Sequence, residues 1–164
     1  MASASVTVRL SDSVNDGAGD EETSGSLPTG SQRSLAGSGW CTGKDQMWGT
    51  ATAPHIQYRN MFTTLLYWKA SASVDVCIDT KRHVVVSLGH QRVNPLYTLP
   101  VVWHYDNKPA WSFGPTGSSF TWVQVVDSFT GCPWGLSIGC NKVSFTVIFN
   151  IAATGVYSYT VKFH

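Results

Sequence analysis

Asp75 and Asp79 lie four residues apart in the run Ser73-Val-Asp-Val-Cys-Ile-Asp79. In an extended chain that spacing puts both carboxylates on one face. Two carboxylates beside an oxygen-rich loop can hold calcium weakly. Two aspartates facing water on a polar strand face, in company with Ser71 and Ser73, are the plainer expectation. The histidines are His55, His83, His90, His104 and His164, and no two have the H-x-x-x-H spacing of a metal site. His83 and His104 fall at strand ends, where a half-buried, hydrogen-bonded imidazole is ordinary. No nucleophile elbow, glycine-rich phosphate loop or nucleophile–base constellation is expected, so the expectation is a non-enzyme with no catalytic residue, no metal and no cofactor. Lys81-Arg82 with Arg92 could form a small basic patch. Binding nucleic acid by charge alone needs many more phosphate contacts, and a charge pair at a hairpin tip is ordinarily solvated.

Four cysteines, Cys41, Cys77, Cys132 and Cys140, include no C-x-x-C pair, so zinc and redox motifs lack support. A Cys132–Cys140 bridge across a loop stays open. No apolar signal-peptide core precedes these residues, so free thiols in a reducing compartment are the expectation. The aromatic residues carry more weight. Trp103, Tyr105, Trp111, Phe113, Phe120, Trp122, Phe129 and Trp134 crowd one part of the chain. Half or more of them belong in a core. Trp103, Trp111, Trp122 and Trp134 are the candidates for lining an apolar pocket or stacking on sugar rings, because flat aromatic faces pack well against C–H surfaces.

The elements that must position these residues are strands. Val143, Phe145, Val147, Phe149 and Ile151 occupy every second position, as do Tyr157, Tyr159, Val161 and Phe163. Strict period-two alternation is the signature of a strand with one buried face. Ala152-Ala153-Thr154 joins the two. Further strands are expected at 62–68, 73–79, 83–88, 99–104 and 119–127, with Pro100 marking a sheet edge or entry. Asn94-Pro95, Asp106-Asn107, Gly114-Pro115, Thr116-Gly117 and Thr130-Gly131 read as turns. Residues 40–60 read as irregular, and no helix longer than a turn or two is expected. Seven or eight strands with loops between them imply a sandwich or barrel.

Residues 1–39 read as a polar arm and residues 40–164 as the β-sandwich body. The arm holds five acids (Asp12, Asp16, Asp20, Glu21, Glu22) against Arg9 and Arg33, while the body holds five acids against nine bases. Ser3 to Leu10 could form one short strand; Ser11 to Gly39 is too polar to offset its own ordering entropy. The net charge of +1 excludes any global electrostatic case for nucleic acid or membrane binding. Charged residues make up 13% of the chain, well below the usual ~25%, which fits either a surface partly covered by partners or a compact β-domain with Ser/Thr/Asn surfaces. No apolar run approaches the ~20 residues of a membrane span.

From Met61 onward the order of features resembles that of picornavirus-like jelly-roll capsid proteins. The aromatic stretch from Phe62 to Ile78 precedes an apolar strand, either 83–88 or 99–104. A loop bearing Pro109 and Trp111 leads to the strand Gly117-Ser-Ser-Phe-Thr-Trp-Val-Gln-Val125. A long loop and two closing strands follow. The resemblance covers residues 61–164 and is one of pattern and order. It implies an antiparallel jelly-roll-like β-sandwich with an extended N-terminal arm. It further implies a structural subunit of an icosahedral, non-enveloped RNA virus shell, found in the virion and, during assembly, in the host cytoplasm. Its partners would be other capsid subunits, a host-cell receptor met by outer loops, and genomic RNA touched only weakly. The chain is shorter than the usual major capsid protein of that group, and its arm is acidic rather than basic, which suits knitting subunits better than neutralising RNA. The alternative is a soluble lectin-like carbohydrate-binding sandwich whose loop tryptophans form the sugar platform.

Overall fold

A computed structural model of the chain describes residues 4–9, 41–59, 65–99, 103–132 and 139–164. The elements are β1 (Ala4–Arg9), β2 (Gln46–Arg59), β3 (Leu66–Asp79), β4 (Val84–Thr98), β5 (Trp103–Tyr105), β6 (Ala110–Phe113), β7 (Phe120–Gly131), β8 (Asn141–Ala152) and β9 (Val156–Phe163). They make two antiparallel sheets. One runs β1-β9-β8-β7, with β5 and β6 sharing the far edge of β7; the other is β2-β3-β4.

The alternation in the sequence decides which faces meet. Val123, Val125 and Phe129 of β7, Phe145, Val147, Phe149 and Ile151 of β8, and Tyr157 and Val161 of β9 are buried toward the second sheet. That sheet answers with Ala51, Ala53 and Ile56 of β2 and with Trp68, Ala70, Ala72, Val74 and Val76 of β3. The small side chains sit mid-strand and the bulk lies toward one end, where Trp68 stacks on Phe129 with ring centroids 4.2 Å apart. The fold is therefore all-β with two sheets in contact, sandwich-like. Two polar links also join the sheets. The Tyr157 hydroxyl accepts from the Thr52 N–H and donates to the Thr52 carbonyl, each at 3.1 Å. At the edge, Val85 of β4 bridges Ser118, donating to its carbonyl at 2.8 Å.

Several expectations are corrected. Residues 46–59, read as irregular, form the long strand β2. Its pattern is masked by Pro54, which falls where the pairing with β3 shifts register between Ala53 and Ile56. The strand expected at 73–79 and the end of the 62–68 run are one element, β3. Asn94-Pro95 is not a turn: Pro95 is paired opposite Ala70 within β4, an edge strand where a missing N–H is tolerated. β6 was not foreseen. The short strand in the arm is present as β1, in register from Ala4 opposite Val161 to Arg9 opposite Val156. Residues 1–3 and 10–39, the rest of the expected arm, lie outside those described, as does Trp40.

The expectation of free thiols is also overturned. Cys41–Cys77 and Cys132–Cys140 are both disulfides, with Cα–Cα separations of 5.4 and 4.1 Å. Cys77 pairs opposite Trp48 on the outer face of its sheet. The 41–45 loop folds back beside it, its Asp45 carbonyl accepting from the Thr80 N–H at 2.8 Å. Cys132 and Cys140 directly flank Gly131 and Asn141, which are opposite one another on β7 and β8, so the ladder itself brings the sulfurs together.

Candidate functional site

Asp75 is the largest departure from the sequence reading. It shares a strand face with Asp79, but it does not face water; it is 2% exposed. The Thr50 hydroxyl donates to it at 2.7 Å, His90 Nδ1 lies 3.2 Å away and Arg92 lies 3.5 Å away. Three strands thus converge on one carboxylate. The cause is a β-bulge: the pairing slips between Ser73–Arg92 and Asp75–Gly89, and His90 takes a positive φ of 48°. A bulge re-aims side chains, and here it turns His90 toward Asp75. The signal available in the sequence was Gly89 interrupting an apolar strand pattern. Asp79, four residues on and about 13 Å away, accepts the backbone N–H groups of Lys81 and Arg82 and closes the β3–β4 turn. The two carboxylates cannot share a cation. Lys81 and Arg82 are exposed at that turn, as expected.

A second polar cluster ties β5 and its following loop to β7. The Tyr105 hydroxyl donates to buried Asp127 at 2.5 Å, and the Ser128 N–H donates to the same carboxylate at 2.8 Å. Burial, then the bond to Asp127 and its charge, push the Tyr105 phenol far above its usual range. Asp106 accepts the hydroxyls of Ser128 at 2.6 Å and Thr130 at 2.8 Å, with Lys142 at 3.6 Å and His104 at 3.7 Å. Burial tends to raise its pKa, but the two hydroxyls and the Lys142 ammonium outweigh that and hold it below the ordinary carboxylate value. In this arrangement Ser128 donates to a carboxylate whose pKa is held low, which makes it a weak base. The cluster is a clamp.

The four tryptophans do not form one site. Trp103 packs on Tyr58 and Tyr67 at the edge of the core, directly over Gly131, where an added Cβ would come within 2.6 Å of the indole. Trp111 of β6 packs against the core from the strand opposite Val125. Trp122 alone among the described three stands on the outer face of its sheet, 36% exposed, beside Phe120 at 51%. Trp134 lies outside the described residues. The described tryptophans are thus on strands rather than loops. An open groove of about 250 Å³ runs between β4 and β6, lined by Val86, Ser87, Leu88, Gln91, Phe113 and Thr116.

No family model, curated protein or solved structure matches the chain. The candidate chemistry therefore rests on the geometry alone. Among the described residues no three metal-ligating side chains gather. His83 and His104, expected to be half-buried, are exposed. Gly135-Leu-Ser-Ile-Gly139 matches the G-x-S-x-G spacing of a nucleophile elbow, a pattern the sequence reading passed over. Such an elbow needs a strand leading into a helix; residues 133–138 lie outside those described, within the loop closed by Cys132–Cys140.

Proposed function

We propose that this chain is a structural subunit of a closed, symmetric shell of the non-enveloped RNA virus kind. One observation carries the reading: large apolar side chains are exposed at opposite ends of the sandwich. Met47, Phe113 and Phe120 lie toward the end where Ile78 and Val85 meet; Leu65, Leu96 and Tyr97 lie toward the other, roughly 40 Å away along the strands. A binding module needs one such surface, whereas a subunit in a closed array must meet several neighbours at once. The jelly-roll form belongs to this proposal. Its support is the order β1-β9-β8-β7, which sets a strand from early in the sequence beside the last of three hairpin-connected ones. A jelly roll holds two Greek keys, whereas β2-β3-β4 and β7-β8-β9 are meanders, so the jelly-roll form rests on the resemblance in the order of features. In this reading the partners are sister subunits and a host-cell receptor, contact with genomic RNA is weak, and the chain resides in the virion and the host cytoplasm during assembly. Among the described residues no helix is long and apolar enough to cross a membrane.

Sedimentation of the native material through a sucrose gradient tests the reading. A fast peak containing this chain, nucleic acid and other proteins is the expected result. A 17.8 kDa species remaining at the top under all conditions overturns it. The lectin-like alternative draws on a different observation, the exposure of Trp122.

A further inference from the structure

The outer face of the larger sheet carries aromatic and neutral polar side chains in adjacent rows. Direct cross-strand partners point to the same side, so the register gives its layout. Trp122, Asn150 and Ser158 form one row across β7, β8 and β9. Ser112, Gln124, Ile148 and Thr160 form the next. Phe120 stands beyond Trp122 on the same strand. Neighbouring strands are about 4.8 Å apart, so an indole, a primary amide and a hydroxyl stand side by side within about 10 Å. Neither the Asn150 nor the Gln124 amide has a hydrogen-bond partner among the described residues. The indole is held from one side: the Gly114 N–H donates to the Trp122 carbonyl at 2.8 Å, and a Cβ at Gly114 would lie 2.8 Å from the ring. Glycine at 114 leaves room for the Cδ1–Nε1 edge of the indole beside that backbone.

We infer that the Trp122–Asn150–Ser158 row, with Gln124 beside it, is a binding site for an uncharged pyranose sugar. A pyranose presents a C–H face and a rim of hydroxyls. The face packs on an aromatic ring, and amides that both donate and accept match the rim. Charge argues for the same occupant. The described side chains of the two rows carry no formal charge, and Lys162 pairs with Thr146 in the row beyond Gln124. A nucleotide would want cations where this face offers amides. Arg9 of β1 is in register with Val156, so an acidic sugar forms a separate arm of the test. The inference does not depend on the shell reading, because the site lies within one chain.

Ligand-observed NMR on the full chain, with lactose and chitotriose as neutral probes and sialyllactose as the acidic one, reads the site. Saturable binding of a neutral probe is expected. Trp122→Ala should weaken it by about tenfold or more, the scale on which an aromatic stacking partner counts. Asn150→Ala should weaken it severalfold, with the far-ultraviolet circular dichroism unchanged in both. Gly114→Ala, which moves the indole without removing it, should also weaken binding. The inference is overturned if neither neutral probe binds, if only sialyllactose binds, or if Trp122→Ala and Asn150→Ala leave affinity intact. It is equally overturned if Trp122→Ala changes only the sedimentation of the chain, which would make the face a protein contact.

Discussion

Asp75 shows how a residue that looks like surface becomes structural. Its carboxylate is the shared acceptor for β2, through Thr50, and for β4, through His90 and Arg92. Asp75→Ala removes all three bonds at once. Because His90 and Arg92 are themselves partly exposed, the loss is expected to be about 1–3 kcal/mol, the range for hydrogen bonds to a charged group, read from the midpoint of chemical denaturation. Tyr105 and Asp106 each make stability depend on pH. The Tyr105 pKa is raised on folding, so the neutral phenol is favoured, and the stability it contributes is complete below the unfolded value of about 10 and falls as pH rises above it. The Asp106 pKa is lowered on folding, so its contribution is complete above the unfolded value of about 4 and falls as pH drops through the folded value. Tyr105→Phe should flatten the alkaline limb of a stability–pH curve, and Asp106→Asn the acid limb. If the curves of these variants run parallel to the parent's at both extremes, the two groups do not set that dependence.

At the scale of elements, the links between strands are separable. Tyr157→Phe removes both bonds to Thr52 while keeping the ring, and should cost about 1–2 kcal/mol in thermal or chemical unfolding. Gly131→Ala places a methyl against the Trp103 indole and should cost about 1–3 kcal/mol by overpacking. Of the two disulfides, Cys41–Cys77 closes the longer loop, 36 residues in sequence against 8. Loop-closure entropy makes its reduction cost roughly 3–4 kcal/mol and that of Cys132–Cys140 roughly 2–3. Denaturation of Cys41→Ser/Cys77→Ser and Cys132→Ser/Cys140→Ser variants should preserve that order. These links also explain what the sequence could not say. Period-two alternation made β7, β8 and β9 legible because each has one dry face. β2 was hidden because its inner face is mostly alanine and its ladder breaks at Pro54. The cysteine pairs were hidden because pairing depends on which strands become neighbours, and no spacing encodes that.

For the whole molecule, the all-β class and the two-sheet stack were readable from alternation and turns, and so was a strand near the start of the chain. The placement of Trp122 outside and of Trp103 and Trp111 against the core was not. All three sit in runs rich in apolar and aromatic residues, and only the register separates the two faces. The pairing of β1 with β9 carries a consequence for how the molecule is made. Ala4 leaves the ribosome long before its partner Val161 is made. At about 5–20 residues per second, β1 waits on the order of ten to thirty seconds with no edge to join, while the meander β7-β8-β9 closes from local contacts as soon as it emerges. The larger sheet therefore cannot be completed until β9 has been made, and its final seam can be sealed by the β1 of whichever chain reaches it first.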